Sequence, residues 1–269
     1  MPVRPKDAVE WRSAWVGPDV ARNRESIMKG FARQARAFAR SPLQRDPERL
    51  GRLLAFAAPR PDEAALDVAC GPGIVTAALA RRAGLAVGVD LAREMIDEAR
   101  GAGGLYLRAD VERLPFKDGS FDLVICRNAC HHFADPPVVA REMRRVARLG
   151  GRVVIEDMAA PEDPARREYH ETIERLRDTA HARTLTRPEI RALLEAAGLR
   201  VEREEPIAFV VDFEEWADRA FPPPADKEKA RAMLLACLEE DRAGLRVWRE
   251  GERLKFERQS VLCRATRPV

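Results

Sequence analysis

The sequence predicts an α/β fold, a mostly parallel sheet with helices on both faces, and three observations predict it. Short apolar runs of strand length alternate with helical segments from about residue 62 to residue 158. The connections are short, which favours right-handed βαβ units and a parallel sheet. Finally, the runs end at or near residues suited to ligand recognition, namely Asp67, Asp90, Asp110 and Arg127-Asn128. In such a sheet the ligand crevice lies beyond the C-terminal ends of the strands.

Residues from about 8 to 40 are rich in Arg and Ala with periodic apolar positions, and read as helix. A second helix covers about 47–57, ahead of the breakers Pro59 and Pro61. The first strand, 65–69, meets the loop Cys70-Gly-Pro-Gly73 and a helix over 74–82. A second strand, 85–89, ends at Asp90 and leads to a helix over 92–100. The third strand is 104–109; the fourth, 121–126, follows an Asp118-Gly119 turn and leads to a helix over 136–149. Gly150-Gly151 stops that helix and starts a fifth strand, 152–155. Beyond residue 160 the alternation loosens into a charged helix over 162–183 and another over 185–197, with Thr186 as N-cap and Gly198 as stop. A strand at 207–211, a helix around 233–238 and a closing strand at 256–264 complete the pattern.

Composition narrows the function. Apolar residues make up 46% and charged ones 34%, as in an ordinary soluble globular protein. No apolar stretch reaches the ~18 residues of a membrane span. No apolar run follows the first basic residues as in a secretory signal, so the expected compartment is the cytoplasm. The formal charge is only +3, and the 41 Arg and 6 Lys are interleaved with acids, which argues against a nucleic-acid-binding face. Cys70, Cys126, Cys130, Cys237 and Cys263 are scattered and odd in number, which suits reduced thiols. Cys126 and Cys130 read as small core residues, and no metal site is expected.

The chemistry concentrates at residues 65–73, ALDVACGPG. Glycines at 71 and 73 allow a tight turn and leave room for a ligand beside the backbone, and the following helix points free N–H groups at it. A Gly-x-Gly after a strand also occurs in dinucleotide enzymes. Their third glycine would fall at Thr76, however, and a carboxylate at Asp67 suits a cation better than a pyrophosphate.

Four segments in register carry a specific resemblance: LDVACGPG, VGVDLAREMI, LRADVERLPFKDGSFDLVICRNACHHFADP and REMRRVARLGGRVVIED. Together they resemble the class I S-adenosylmethionine-dependent methyltransferases, in particular the group related to the ubiquinone/menaquinone C-methyltransferases. The likeness covers about residues 62–158, and FARQARAF at 31–38 is similar to the family's N-terminal helix beside the cofactor. It implies a Rossmann-like, mostly parallel seven-stranded sheet with N-terminal and C-terminal helical lid elements. The expected organisation is one methyltransferase domain over 1–269. N-terminal helices occupy 8–58, a cofactor-binding core 62–158, a helical cap 159–250 and a closing strand 251–269.

The resemblance also implies roles. Asp67 and the backbone of Ala69, Gly71 and Gly73 would hold the methionine moiety of S-adenosylmethionine, and Asp90 both ribose hydroxyls. Leu91 and Met95 would flank the adenine, Asp110 would accept from its amino group and the Val111 N–H would donate to its ring. Arg127 and Asn128 would line the floor beneath the sulfonium, while Phe31, Gln34 and Phe38 would close over the methionine end. The chain departs from the family at Ala69, where a glycine is common, at Phe38, where a tyrosine is common, and in RVARLGG for RVLKPGG.

His132 is the candidate general base, with His131 weaker; the alternative is a structural histidine in the strand-end loop. The expected reaction is in-line transfer of a methyl group to an O, N or C atom of a small molecule, leaving S-adenosylhomocysteine. Much of the acceleration would come from holding the reacting atoms in line. Trp216, Phe221, Met233 and Trp248 are candidates to line a lid. The alternatives are a macromolecular methyltransferase acting on protein or RNA, and a catalytically silent S-adenosylmethionine-binding regulator; a nicotinamide enzyme is disfavoured by Asp67 and Thr76. The expected partner is a small-molecule acceptor, with no nucleic acid and no integral membrane association. The oligomeric state stays open, a homodimer among the options.

Overall fold

β1 (Ala64–Val68) is buried over nearly its whole length, as a central strand covered on both faces must be. The structure is a computed structural model describing residues 20–269, with side chains from residue 28; the start of the expected N-terminal helix, 8–19, lies outside the described residues. β1 pairs in parallel with β2 (Leu85–Asp90) on one side and β4 (Phe121–Arg127) on the other. β3 (Leu105–Arg108) adds in parallel outside β2, and β5 (Ala147–Met158) outside β4. Beyond β5 the direction reverses. β8 (Arg253–Thr266) runs antiparallel between β5 and β6 (Arg200–Asp212). The order is β3-β2-β1-β4-β5-β8-β6, and β7 (Val247–Glu250) makes a hairpin with β8. The mostly parallel α/β sheet expected from the sequence is therefore present, with one more strand than foreseen.

Helices α1 (Val20–Arg40), α2 (Pro42–Arg45) and α3 (Pro47–Ala57) precede the sheet. α4 (Ile74–Leu79) and α5 (Arg93–Ala99) join the first three strands. α6 (Pro136–Val146) leads into β5, and α7 (Pro164–Arg177) and α8 (Arg187–Ala196) follow it. α9 (Phe213–Asp218) and α10 (Pro224–Ala236) lie between β6 and β7. Three of these helices open on Asp-Pro, at 46–47, 135–136 and 163–164. In each the aspartate accepts a backbone N–H and the proline occupies the first turn. Thr186 and Glu189 form the reciprocal capping box of α8, as the sequence predicts.

One apolar layer fills the space between the sheet and α6 and α8, and a second lies on the opposite face under α3 and α4. A third cluster, around Phe213, Trp216 and Phe256, holds the cap to the far ends of β6 and β8. α1 packs on α5 through Ala35, Ala92 and Met95, with Phe31 and Phe38 against them, and so roofs the strand tips.

Several boundaries differ from expectation. α6 stops at Val146, and β5 begins at once, bulging through Gly150 (φ 74°) before regular pairing resumes at Arg152. The charged helix expected to 183 ends at Arg177. β6 extends well upstream of the expected 207–211, and α10 overlaps the expected 233–238 but starts nine residues earlier, at Pro224.

Candidate functional site

Immediately after β1 the backbone enters the left-handed region at Ala69 (φ 55°), Gly71 (φ 53°) and Gly73 (φ 77°), folding the chain back within five residues. The loop is braced from β2: Asp90 Oδ2 accepts the Gly71 N–H at 2.9 Å and Oδ1 that of Ala92 at 2.9 Å. Gly71 lines the cleft at the strand tips. Gly73 does not; a Cβ there would lie 2.6 Å from the Tyr106 ring, so its glycine serves the turn and this packing. Thr76, on α4, donates to Asp67 Oδ2 at 2.7 Å, which gives a physical reason for a hydroxyl where dinucleotide enzymes place glycine.

The cleft has a volume of about 1010 Å³ and gathers residues from the tips of β1, β2, β3 and β4. Asp67, Asp90 and Asp110 all face it, with Ala69, Leu91, Met95 and Val111. Arg127 and Asn128, at the end of β4, line it too, and Phe31 and Phe38 line it from α1. Gln34 does not: it is buried, its amide Nε2 lies 3.5 Å from the Ala220 carbonyl, and its Oε1 has no partner among the described residues. Burial pushes the Asp67 carboxyl up to about 7 against the Thr76 hydrogen bond. It also raises Asp90, against the backbone N–H groups of Ala92 and Gly71. Three carboxylates in one largely apolar cleft can grip a ligand rich in hydroxyl, amino and cationic groups and would repel a pyrophosphate. The backbone at Asn128 is left-handed (φ 52°), and its side chain donates to Gln44 Oε1 at 3.3 Å.

A second cavity of about 390 Å³ adjoins the first, and the two share Phe38, Gln44, Asn128 and His132 as a common wall. His132 is buried, its Nδ1 3.0 Å from the Ala180 carbonyl. A carbonyl only accepts, so Nδ1 carries the proton and Nε2 is the acceptor of the neutral ring. Burial, aided by neighbouring His131, pushes His132 down to about 3, so it is uncharged at neutral pH. His131 lines the second cavity, with its Nδ1 2.6 Å from Asp157 Oδ1. Burial opposes ionisation of Asp157, but His131 holds that carboxyl below its usual range.

The rest of the second cavity was not foreseen. Arg49, Arg177, Arg219 and Arg258 line it, with Leu43, Met158 and Phe209. A chain with 41 arginines offers no signal by which these four stand out. Of the residues expected to line a lid, Trp216 and Met233 belong to the third core cluster, and Phe221 and Trp248 face neither cavity. All five cysteines are free and buried, with the Cys126 and Cys130 sulfurs 3.9 Å apart in the core. Among the described residues no helix is long and apolar enough to cross a membrane.

Comparison with known proteins agrees with this geometry. The methyltransferase domain family matches residues 66–155. The uncharacterized methyltransferase YcgJ of Bacillus subtilis is 31% identical over 206 residues, covering 74% of this chain and 81% of YcgJ. The crystal structure of a Bacillus halodurans C-125 protein assigned as a methyltransferase superposes with a TM-score of 0.77 at 30% identity, covering 82% of this chain and all of that one. Likeness to the demethylmenaquinone methyltransferase of Corynebacterium kroppenstedtii is 32% over only 106 residues, 39% of this chain and 46% of that enzyme, so the quinone subgroup gains little support. Strand-tip carboxylates, the left-handed loop and a relative matched over most of its length converge: the chain belongs to the S-adenosylmethionine-dependent methyltransferases.

Proposed function

We propose that this chain methylates an O, N or C atom of a small-molecule acceptor seated in the second cavity. One observation carries the reading: the cleft of carboxylates and the smaller cavity meet at a single wall, formed by Phe38, Gln44, Asn128 and His132. The small size of the second cavity favours a compact acceptor.

The residues present fit the cofactor. Gly71 lines the cleft with left-handed backbone, and a Cβ there would have Met95 Sδ at 3.9 Å as its nearest neighbour, so the missing side chain leaves space on the cleft wall. Asp67 would pair with the ammonium of the methionine moiety and Asp90 would accept from the ribose hydroxyls, each carboxylate offering about four lone-pair sites. Leu91, Met95 and Val111 would enclose the adenine beside Asp110. Arg127 and Asn128 would floor the methyl end, and Phe31 and Phe38 would exclude water above it. Bound there, S-adenosylmethionine supplies a methyl group on a sulfonium leaving centre. A histidine that ionises near 3 holds a proton poorly at neutral pH. The part proposed for His132 is therefore to accept a hydrogen bond from the acceptor and orient its reacting atom.

Calorimetry with S-adenosylhomocysteine tests the cofactor half. Asp90→Ala is expected to weaken binding by about 100-fold, two charge-assisted hydrogen bonds being lost, with an unchanged circular dichroism spectrum. Wild-type affinity in that variant would overturn the assignment. Labelled methyl transfer in cell extract tests the acceptor half: label is expected in the low-mass fraction, and label confined to precipitated protein or RNA would overturn it.

A further inference from the structure

The second cavity has an electrostatic character that methyl transfer alone does not require. Arg49 comes from α3, Arg177 from the last residue of α7, Arg219 from just after α9 and Arg258 from β8. The fold thus brings four cations from distant parts of the chain to one small chamber, and among the described residues no carboxylate lines it. The acids that offset them stand behind. Glu156 takes Arg49 at 3.0 Å, Glu174 takes Arg258 at 2.8 Å, Glu215 takes Arg219 at 2.7 Å and Asp178 takes Arg177 at 3.3 Å.

These pairs leave donors over. Among the described residues Arg49 Nε, Arg219 Nε and Arg258 Nε are buried without a hydrogen-bond partner, as is Arg127 Nη2 on the neighbouring wall. Arg177, Arg219 and Arg258 are 4%, 5% and 7% exposed, so these guanidinium groups lie largely out of bulk solvent. Burial, together with the facing Arg177, lowers Arg219 to about 9, and burial lowers Arg49 to about 10 against the pull of Glu156. Both still carry charge at neutral pH. Aromatic faces hold them in place: Arg49 lies 3.6 Å from the Phe209 ring centroid and Arg219 5.3 Å from that of Phe38. Leu43 and Met158 complete the wall with apolar surface.

We infer that this chamber binds the oxyanion of the methyl acceptor, so that the acceptor is a small molecule with a compact apolar body and a carboxylate or phosphate group. The inference rests on the small-molecule reading above and gives it a chemical class. A free guanidinium N–H donates to either oxyanion in a charge-assisted hydrogen bond. Anchoring the acceptor by its charge would set its other end against the shared wall of Asn128 and His132.

The test uses protein saturated with S-adenosylhomocysteine, titrated calorimetrically with benzoate, phenyl phosphate and neutral benzamide. At least one anion is expected to bind about tenfold or more tightly than benzamide, the effect of a charge-assisted hydrogen bond. A preference for benzoate assigns a carboxylate, and one for phenyl phosphate assigns a phosphate. Arg219→Gln and, on another element, Arg49→Gln are each expected to weaken that anion about tenfold with S-adenosylhomocysteine affinity unchanged. Equal binding of benzamide, or no binding of either anion to the loaded protein, overturns the inference and leaves the methyltransferase reading intact. Equal weakening of S-adenosylhomocysteine and the anion by both variants also overturns it, since the arginines would then serve the cofactor's own carboxylate. Wild-type protein that takes up no S-adenosylhomocysteine defeats the cofactor assignment itself.

Discussion

A buried carboxyl that ionises near 7 makes Asp67 sensitive to small changes around neutral pH. Pairing with an ammonium group needs the ionised form, so S-adenosylhomocysteine affinity should climb by up to about tenfold per pH unit below 7 and level off above it. Calorimetry between about pH 5.5 and 8 reads this slope, and Asp67→Asn should flatten it; a flat wild-type profile would remove Asp67 from the ammonium site. In the free protein the same shift acts on folding with the opposite sign. Between 3.8 and about 7 the native carboxyl keeps a proton that the unfolded chain has released, so the stability contributed by Asp67 falls as pH rises. The strand-tip acids were legible because each closes an apolar run. The arginines of the second cavity were not, because residues 49, 177, 219 and 258 share no motif and meet only through tertiary folding.

Between elements, β2 passes close against α4 behind the cleft. A Cβ on Gly88 would lie 2.5 Å from Thr76 Oγ1 and 2.9 Å from Cys70 Sγ. Gly88→Ala should therefore destabilise the fold by about 1–3 kcal/mol in urea unfolding, and displace the hydroxyl that serves Asp67. Wild-type stability would show that α4 can move away freely. The parallel half was legible at this scale because its strands are covered on both faces and read as unbroken apolar runs. β6 was legible only at its apolar end. It borders the sheet with Glu202, Arg203, Glu204 and Glu205 in its first half, which pair with one another or with neighbouring arginines and read as loop. Gly150-Gly151 reads in the sequence as a helix stop and strand start, whereas the chain is already paired at Ala147 and bulges through the glycines.

Across the whole molecule, cap and sheet are fastened by ion pairs that water barely reaches. Arg258 on β8 meets Glu174 on α7, and both are more than nine-tenths buried. Removing one partner strands the other, so Glu174→Ala should cost about 3–5 kcal/mol in urea unfolding. The exposed Arg191–Glu195 pair offers a control, where Glu195→Ala should change stability by no more than about 0.5 kcal/mol. Comparable losses in the two variants would mean that the cap is held by its apolar cluster alone. Another consequence lies in where β8 sits. It is later in the chain than β6 yet stands between β6 and β5, so β6 has no neighbour until residues 253–266 have been synthesised. On the ribosome, the parallel strands can assemble early while the outer strand waits for a stretch made later. A chain cut short before residue 253 would leave the β5 backbone edge open to whatever strand it meets first.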